Sequence, residues 1–204
     1  MSRPATAGVP APGEPPLDEL IASLTVDVPD HPEPGVLFRD LTPVFADGHA
    51  FRRMVEGLAA PAAADPRAAA VAGAVGRDGD RGFDVVVGVE ARGFLLAAAV
   101  ALGTGVGVVP VRKAGKLPRE RIASDYALEY GTATLELHAD SVRPGSRVLV
   151  VDAVLATGGT LGAAIALVEQ LGGIVTAVSV VVELPALGGR QRLAPHTVHA
   201  LWTT

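Results

Sequence analysis

The sequence predicts an α/β fold, a parallel sheet flanked by helices. Two observations carry this. DVVVGVE (84–90) and RVLVVD (147–152) are continuous apolar runs that each end in an acid, the pattern of strands buried on both faces of a parallel sheet. Each is followed by an apolar stretch of helical length (93–102 and about 161–171), then by a second strand-like run, VGVVPV (106–111) and IVTAVSVVVEL (174–184). Strand, helix, strand, repeated, requires right-handed crossovers within one sheet. In such sheets ligands collect outside the carboxyl ends of the strands.

Composition fits one domain with an aliphatic core. The chain has 204 residues, 49% apolar but only 4% aromatic, so Ala, Val and Leu must build the interior. With 24 Gly and 16 Pro, it reads as turn-rich rather than as a helical bundle. A net charge of −5 argues against a general nucleic-acid or anionic-membrane binder, which needs a broad basic surface. The absence of Cys excludes disulfide scaffolds, thiolate metal sites and cysteine nucleophiles, and permits a reducing compartment. Gly93 to Val111 carries no charge and approaches membrane-spanning length, but Gly103, Thr104, Gly105, Gly107 and Pro110 interrupt it. A buried helix followed by a buried strand is the expectation there, and cytoplasmic the expected location.

In chain order, MSRPATAGVPAPGEPP (1–16) has no apolar run of the kind a secretory signal needs and reads as a disordered leader, leaving 17–204 as a single domain. Leu17, Leu20, Ile21 and Leu24 fall at helical spacing, and 26–35 is a Pro-rich loop. Asp47 is placed to cap a helix with Phe51, Met54, Val55 and Leu58 on one face. Residues 61–82, rich in Ala, Gly and Asp, have no clean period and read as an irregular insertion or a weak helix. After the first strand–helix–strand unit, 112–125 reads as a long exposed loop. Tyr126–Tyr130 and Thr134–His138 then form two short hairpin strands around Gly131.

The most informative segment is VLVVDAVLATGGT (148–160). A buried strand delivers Asp152 to the sheet edge, and Ala156, Thr157, Gly158, Gly159 and Thr160 lead into a helix. Glycines let backbone N–H groups close around an anion, and a helix N-terminus adds favourable partial charge. Thr157 and Thr160 supply hydroxyl donors, while Asp152 can accept from sugar hydroxyls or help hold a hydrated Mg²⁺. The competing interpretation is an ordinary strand–turn–helix junction with Thr160 as cap. No Lys follows the glycines, so this is not a Walker A loop, and it is not a GxGxxG fingerprint.

Two further segments end strands. GVEARGF puts Glu90, Ala91 and Arg92 at a turn able to offer N–H groups and a guanidinium to a diphosphate, or simply a surface Arg capping the turn. In VRKAGKLPRER, Lys113 and Lys116 are the only lysines among 17 basic residues, and a compact ammonium suits diphosphate and metal-bound water. A solvated basic loop is the plainer interpretation. His31, His49, His138, His196 and His199 do not form a metal set.

VLVVDAVLATGGT is similar to the phosphoribosyl-diphosphate signature of the type I phosphoribosyltransferases, and ATGGT with its flanks resembles the adenine phosphoribosyltransferases in particular. PEPGVLFRDLTPVF (32–45), GVEARGF (88–94), VPVRKAGKLP (109–118), YALEYGTATLELH (126–138) and VVELPALGGRQRL (181–193) resemble that family in the same order. The resemblance implies the family's parallel sheet with a small N-terminal hood and a mobile loop. It implies transfer of phosphoribosyl from phosphoribosyl diphosphate to adenine, giving AMP and pyrophosphate, with substrate-chelated Mg²⁺ and usually a homodimer.

By the same resemblance Ala91, Arg92, Arg112, Lys113 and Lys116 contact the diphosphate, and Asp152 with 156–160 holds the phosphoribosyl group. Phe38, Arg39 and Leu184 line the adenine pocket. Glu129, in the covering segment with Tyr130, serves as acid or base toward the purine nitrogens. One departure stands out: the family has two adjacent acids at the strand end, and here the second is Ala153. Losing one hydrogen bond to a charged group costs ~1.5–3 kcal/mol of donor affinity, roughly ten- to a hundredfold. Ala153 therefore keeps a catalytically weak or silent donor-binding regulator in view; a transferase for another purine base is a separate alternative, against which the FRD segment (38–40) argues for adenine.

Overall fold

The computed structural model describes residues 13–60, 82–128 and 131–204. Most of the leader, the 61–81 segment, Glu129 and Tyr130 therefore lie outside the described residues.

The chain opens with helix α1 (Leu17–Leu24), strands β1 (Val26–Pro29) and β2 (Leu37–Asp40), and helices α2 (Thr42–Ala46) and α3 (Gly48–Ala59). The Pro-rich 26–35 stretch is thus a loop only in its second half. Its first four residues pair antiparallel with β2, from Val26↔Asp40 to Pro29↔Leu37. Local composition hid a strand whose stability depends on its partner. Asp47 caps α3 as expected, its Oδ1 accepting from the amides of His49 at 2.9 Å and Ala50 at 2.8 Å. Just before α1, the Pro15 carbonyl accepts from Arg53 of α3 at 2.9 Å.

The main sheet follows: β3 (Val85–Val89), α4 (Arg92–Thr104), β4 (Gly107–Lys113), β5 (Arg121–Leu128), β6 (Gly131–His138), β7 (Arg147–Leu155), α5 (Gly159–Gln170), β8 (Ile174–Glu183), α6 (Gly189–Arg192) and β9 (Val198–Thr203). The described residues form a seven-stranded sheet ordered β5-β6-β4-β3-β7-β8-β9. From β4 to β9 all pairings are parallel, whereas β6 joins β4 antiparallel and β5 joins β6 antiparallel. The sheet is therefore mixed, not purely parallel. Both ends of the expected 112–125 loop are strand: β4 runs to Lys113, and β5 begins at Arg121. Charged residues such as Arg121 and Asp125 sit on β5, an edge strand with one neighbour, where polar side chains are tolerated and blur the alternation used to read strands.

Each face of the sheet carries a core. Val87, Val89, Val148 and Val150 face α5 with Leu161, Ile165 and Leu167. Val86, Leu149, Val151 and Ala153 face the other way, with Leu96 and Val100 of α4 and Ile21, Met54 and Leu58 of α1 and α3. Alternate residues serving two cores explain the uninterrupted apolar runs. The Gly93–Val111 stretch divides into α4 and β4 as expected. No helix among the described residues is long and apolar enough to cross a membrane.

Candidate active site

At Gly88 a Cβ would stand 2.6 Å from the Ala97 Cβ and 2.7 Å from the Gly93 carbonyl, so only glycine lets α4 pack this closely on β3. Gly93 in turn abuts β7: a Cβ there would lie 2.9 Å from the Val151 carbonyl and 3.3 Å from Asp152 Oδ1. These two approaches bring the start of α4, with Ala91 and Arg92, against Asp152. The Glu90–Ala91 peptide is cis.

β7 does not end at Asp152, as the apolar run suggested, but continues to Leu155. Its pairing with β3 stops at Gly88↔Val151, whereas its pairing with β8 continues to Leu155↔Glu183. Asp152 is thus the first residue of β7 beyond its pairing with β3. Oδ1 accepts from the Ala153 amide at 2.7 Å. Burial pushes this carboxyl up to about 7, opposed by that amide and by the charge of Arg92. Ala153 is fully buried in the apolar cluster with Val151 and Val181.

After β7, Gly158 takes a left-handed conformation, φ +79°, and forms the N-cap of α5 with no side-chain capping bond. Thr160 lies inside the first turn of α5, so the cap at this junction is Gly158 rather than Thr160. Among the described residues no side chain caps the first-turn amides of α5, the kind of helix N-terminus that suits an anion.

The Arg92 guanidinium lies 5.2 Å from the centre of the Phe38 ring, and its Nη1 is buried without a hydrogen-bond partner among the described residues. Phe38 also meets His31 edge-on at 5.0 Å. Glu90, which sequence reasoning placed at the turn without a role, accepts from the Lys113 amide at 2.8 Å and stands 3.5 Å from Arg112 Nε. Arg112 donates to the Lys116 carbonyl at 3.3 Å. A carboxylate at the end of β3 thereby ties down the strand end that carries Arg112 and Lys113. Asp40 is held below the ordinary carboxylate range by the Thr42 hydroxyl and amide.

Leu184 follows β8, and its amide donates to the Leu155 carbonyl at 2.9 Å, which puts it beside the phosphate loop. Arg39 is turned elsewhere: its guanidinium meets Asp27 at 3.0 Å, Thr204 Oγ1 at 3.4 Å and the Trp202 ring at 5.1 Å. The side chain locks the β1–β2 hairpin to β9, which leaves backbone as what Arg39 can offer a ligand. Contacts among the described residues thus link Phe38 to Arg92, bring Arg92 and Gly93 to Asp152, tie Arg112 and Lys113 to Glu90, and set Leu184 beside Leu155.

Asp152 on β7, a glycine turn entering a helix without a side-chain cap, and the partnerless Nη1 of Arg92 suit a phosphorylated sugar, as in a phosphoribosyltransferase. The model of the phosphoribosyl transferase domain matches residues 56–194. The chain is 56% identical to the adenine phosphoribosyltransferase of Salinispora arenicola over 185 residues, 91% of this chain and 90% of that one. It is 54% identical to that of Clavibacter michiganensis, covering 93% and 98% of the two chains. Among solved structures, the adenine phosphoribosyltransferase of Rhodothermus marinus aligns with TM-score 0.80 and 41% identity over 92% of this chain and 98% of that one. The yeast enzyme, complexed with adenine and an imino-altritol bisphosphate, aligns with TM-score 0.77 and 34% identity over 91% and 98%. The chain belongs to the adenine phosphoribosyltransferases.

Proposed function

We propose that this chain transfers the 5-phosphoribosyl group of phosphoribosyl diphosphate to adenine, giving AMP and pyrophosphate, and so serves purine salvage. The observation that carries the reading is the uncapped turn 156–160 beside Asp152, facing the unpaired Arg92. The loop amides and the hydroxyls of Thr157 and Thr160 hold the 5′-phosphate, and Asp152 accepts from the ribose hydroxyls. Arg92, Arg112, Lys113 and Lys116, with the Ala91 backbone, receive the diphosphate. Phe38 and Leu184 enclose the base, with the Arg39 backbone at its edge.

The bond from C1′ to the diphosphate oxygen breaks as a purine nitrogen bonds to C1′. Glu129 handles the proton lost from that nitrogen. Fixing donor and base in reacting geometry supplies much of the acceleration, and cations preorganised at the departing pyrophosphate supply more. Asp152 fits a hydrated Mg²⁺ brought in by the donor, since Oδ1 is engaged by an amide and Oδ2 is not engaged among the described residues. When bound, Mg²⁺ neutralises diphosphate charge.

The protein is proposed to act as a homodimer. α4 exposes Leu95, Ala98 and Leu102 at helical spacing, Leu102 at 86%, and the adjoining β4 exposes Val108. Such an apolar row suits a second copy. The cysteine-free sequence suits a reducing cytoplasm.

The test is AMP formation from adenine and phosphoribosyl diphosphate with Mg²⁺, run beside hypoxanthine, guanine and no base. Adenine-dependent turnover that Asp152→Ala nearly abolishes, with the fold intact, supports the reading. Donor binding without turnover would move the protein to the silent regulator that Ala153 keeps in view. Faster use of another purine would shift the acceptor.

A further inference from the structure

Behind the 156–160 turn a buried carboxylate pairs with an exposed arginine. Glu183 closes β8 at 4% exposure. Arg190 of α6 takes both its oxygens: Nε donates to Oε1 at 2.8 Å, and Nη2 donates to Oε2. The third arm, Nη1, crosses to the Val198 carbonyl of β9 at 2.7 Å. One guanidinium thus joins β8, α6 and β9, and the buried carboxylate is satisfied by charge-assisted bonds in fork geometry.

The residue before Arg190 is pressed into the donor loop. A Cβ at Gly189 would run into the Ala156 carbonyl and come within 2.6 Å of Leu155 Cδ1 and 3.0 Å of the Gly158 amide nitrogen. From the other side, a Cβ on Gly158 would stand 2.9 Å from the Gly189 carbonyl. The two glycine backbones are in direct apposition. Because the loop makes no side-chain capping bond, the shape of Ala156–Thr160 depends on what stands behind it.

We infer that the Glu183–Arg190 pair is a positioning device that holds α6 as a backstop to the phosphate loop, keeping 156–160 in donor-binding shape. Neither side chain touches substrate. The inference rests on the loop being the donor site proposed above, and it adds a coupling. Glu183 directly precedes Leu184 at the base pocket, and Arg190 directly follows Gly189 at the phosphate loop. One ion pair therefore sets the spacing between the two substrate pockets.

The experiment compares wild type with Arg190→Met, Arg190→Lys and Glu183→Gln by two readouts. The first is steady-state kinetics with donor and adenine varied separately. Arg190→Met is expected to raise the donor KM about tenfold, with kcat changed less than about threefold, because the loop loses preorganisation while the reacting groups stay. Arg190→Lys, which keeps a cation for Glu183, is expected to recover part of that loss, and Glu183→Gln to fall between. The second readout is amide hydrogen exchange of 156–160 in the substrate-free protein, expected to speed up in Arg190→Met while β3 and β7 amides do not. A donor KM within twofold of wild type, or unchanged exchange at 156–160 in a variant whose melting temperature has dropped, overturns the inference and leaves the pair a plain structural bridge. If wild type makes no AMP, the proposed function fails, and the exchange experiment alone decides the backstop. Should Arg190→Met not fold, Glu183→Gln carries both readouts.

Discussion

Asp152 is where function and stability oppose each other, and Asp152→Asn measures how strongly. Its carboxyl is moved from 3.8 to about 7, chiefly by burial. The folded protein then holds the proton more tightly than the unfolded chain does. Raising pH through the window from about 4 to 7 strips a proton the folded state favours, and stability falls across it. At about 1.36 kcal/mol per pKa unit, a rise of roughly three units sets a ceiling of about 4 kcal/mol. Asp152 is only half-buried, so solvent screening lowers the expected cost to ~1–3 kcal/mol. Asn keeps the shape and the acceptor for the Ala153 amide while removing the charge.

At about pH 8 the variant should therefore melt higher than wild type by roughly 3–9 °C, given the usual entropy of unfolding for a chain of this size. At about pH 4 the two should nearly coincide. Turnover should fall by at least ~100-fold, since a neutral amide accepts poorly from ribose hydroxyls and does not attract a hydrated cation. Ligand-free melting curves from about pH 4 to 8 make the comparison. A variant that melts at or below wild type at pH 8, or that gains as much at pH 4, would refute the argument that burial destabilises this carboxylate.

Other changes probe the supports of the site. Gly93→Ala forces a methyl toward the Val151 carbonyl and Asp152; it should cost ~1–3 kcal/mol by denaturant melts and weaken donor binding in calorimetry. Glu136, 6% exposed, accepts from Arg121 at 2.9 Å and from the Gly115 amide at 3.0 Å, bridging β5 to the loop of Lys116. Glu136→Ala should raise the KM for pyrophosphate in the reverse reaction several-fold, with kcat less affected, and an unchanged KM would show that the loop holds itself. Leu95→Asp with Leu102→Asp should convert a dimer to monomers in light scattering at micromolar protein, whereas an unchanged mass would place any interface elsewhere.

How far the chain could be read from sequence follows from what each signal depends on. Apolar runs ending in an acid located β3 and β7 and exposed Asp152, because a strand buried on both faces leaves an uninterrupted record. The same rule applies to IVTAVSVVVE, whose terminal Glu183 was passed over: a partner seven residues on carries no periodicity that would reveal it. Residues 121–125 of the edge strand β5 read as loop because only pairing with β6 makes them strand, and β1 depends in the same way on β2.

The sequence by itself determined the α/β class, the glycine- and threonine-bearing turn into α5, and the cap at Asp47. These are local matters of backbone freedom, hydrogen-bonding side chains and periodic burial. It also held the family resemblance and the departure at Ala153. Tertiary structure alone decided that Arg39 braces the hood against β9 while Phe38 meets Arg92. It also decided that Glu90 secures the end of β4, that burial raises Asp152, and that Gly189 stands behind the phosphate loop. Each of these depends on groups distant in sequence and brought within a few ångströms, and contact at that range sets charge, strain and shape in ways no local pattern records.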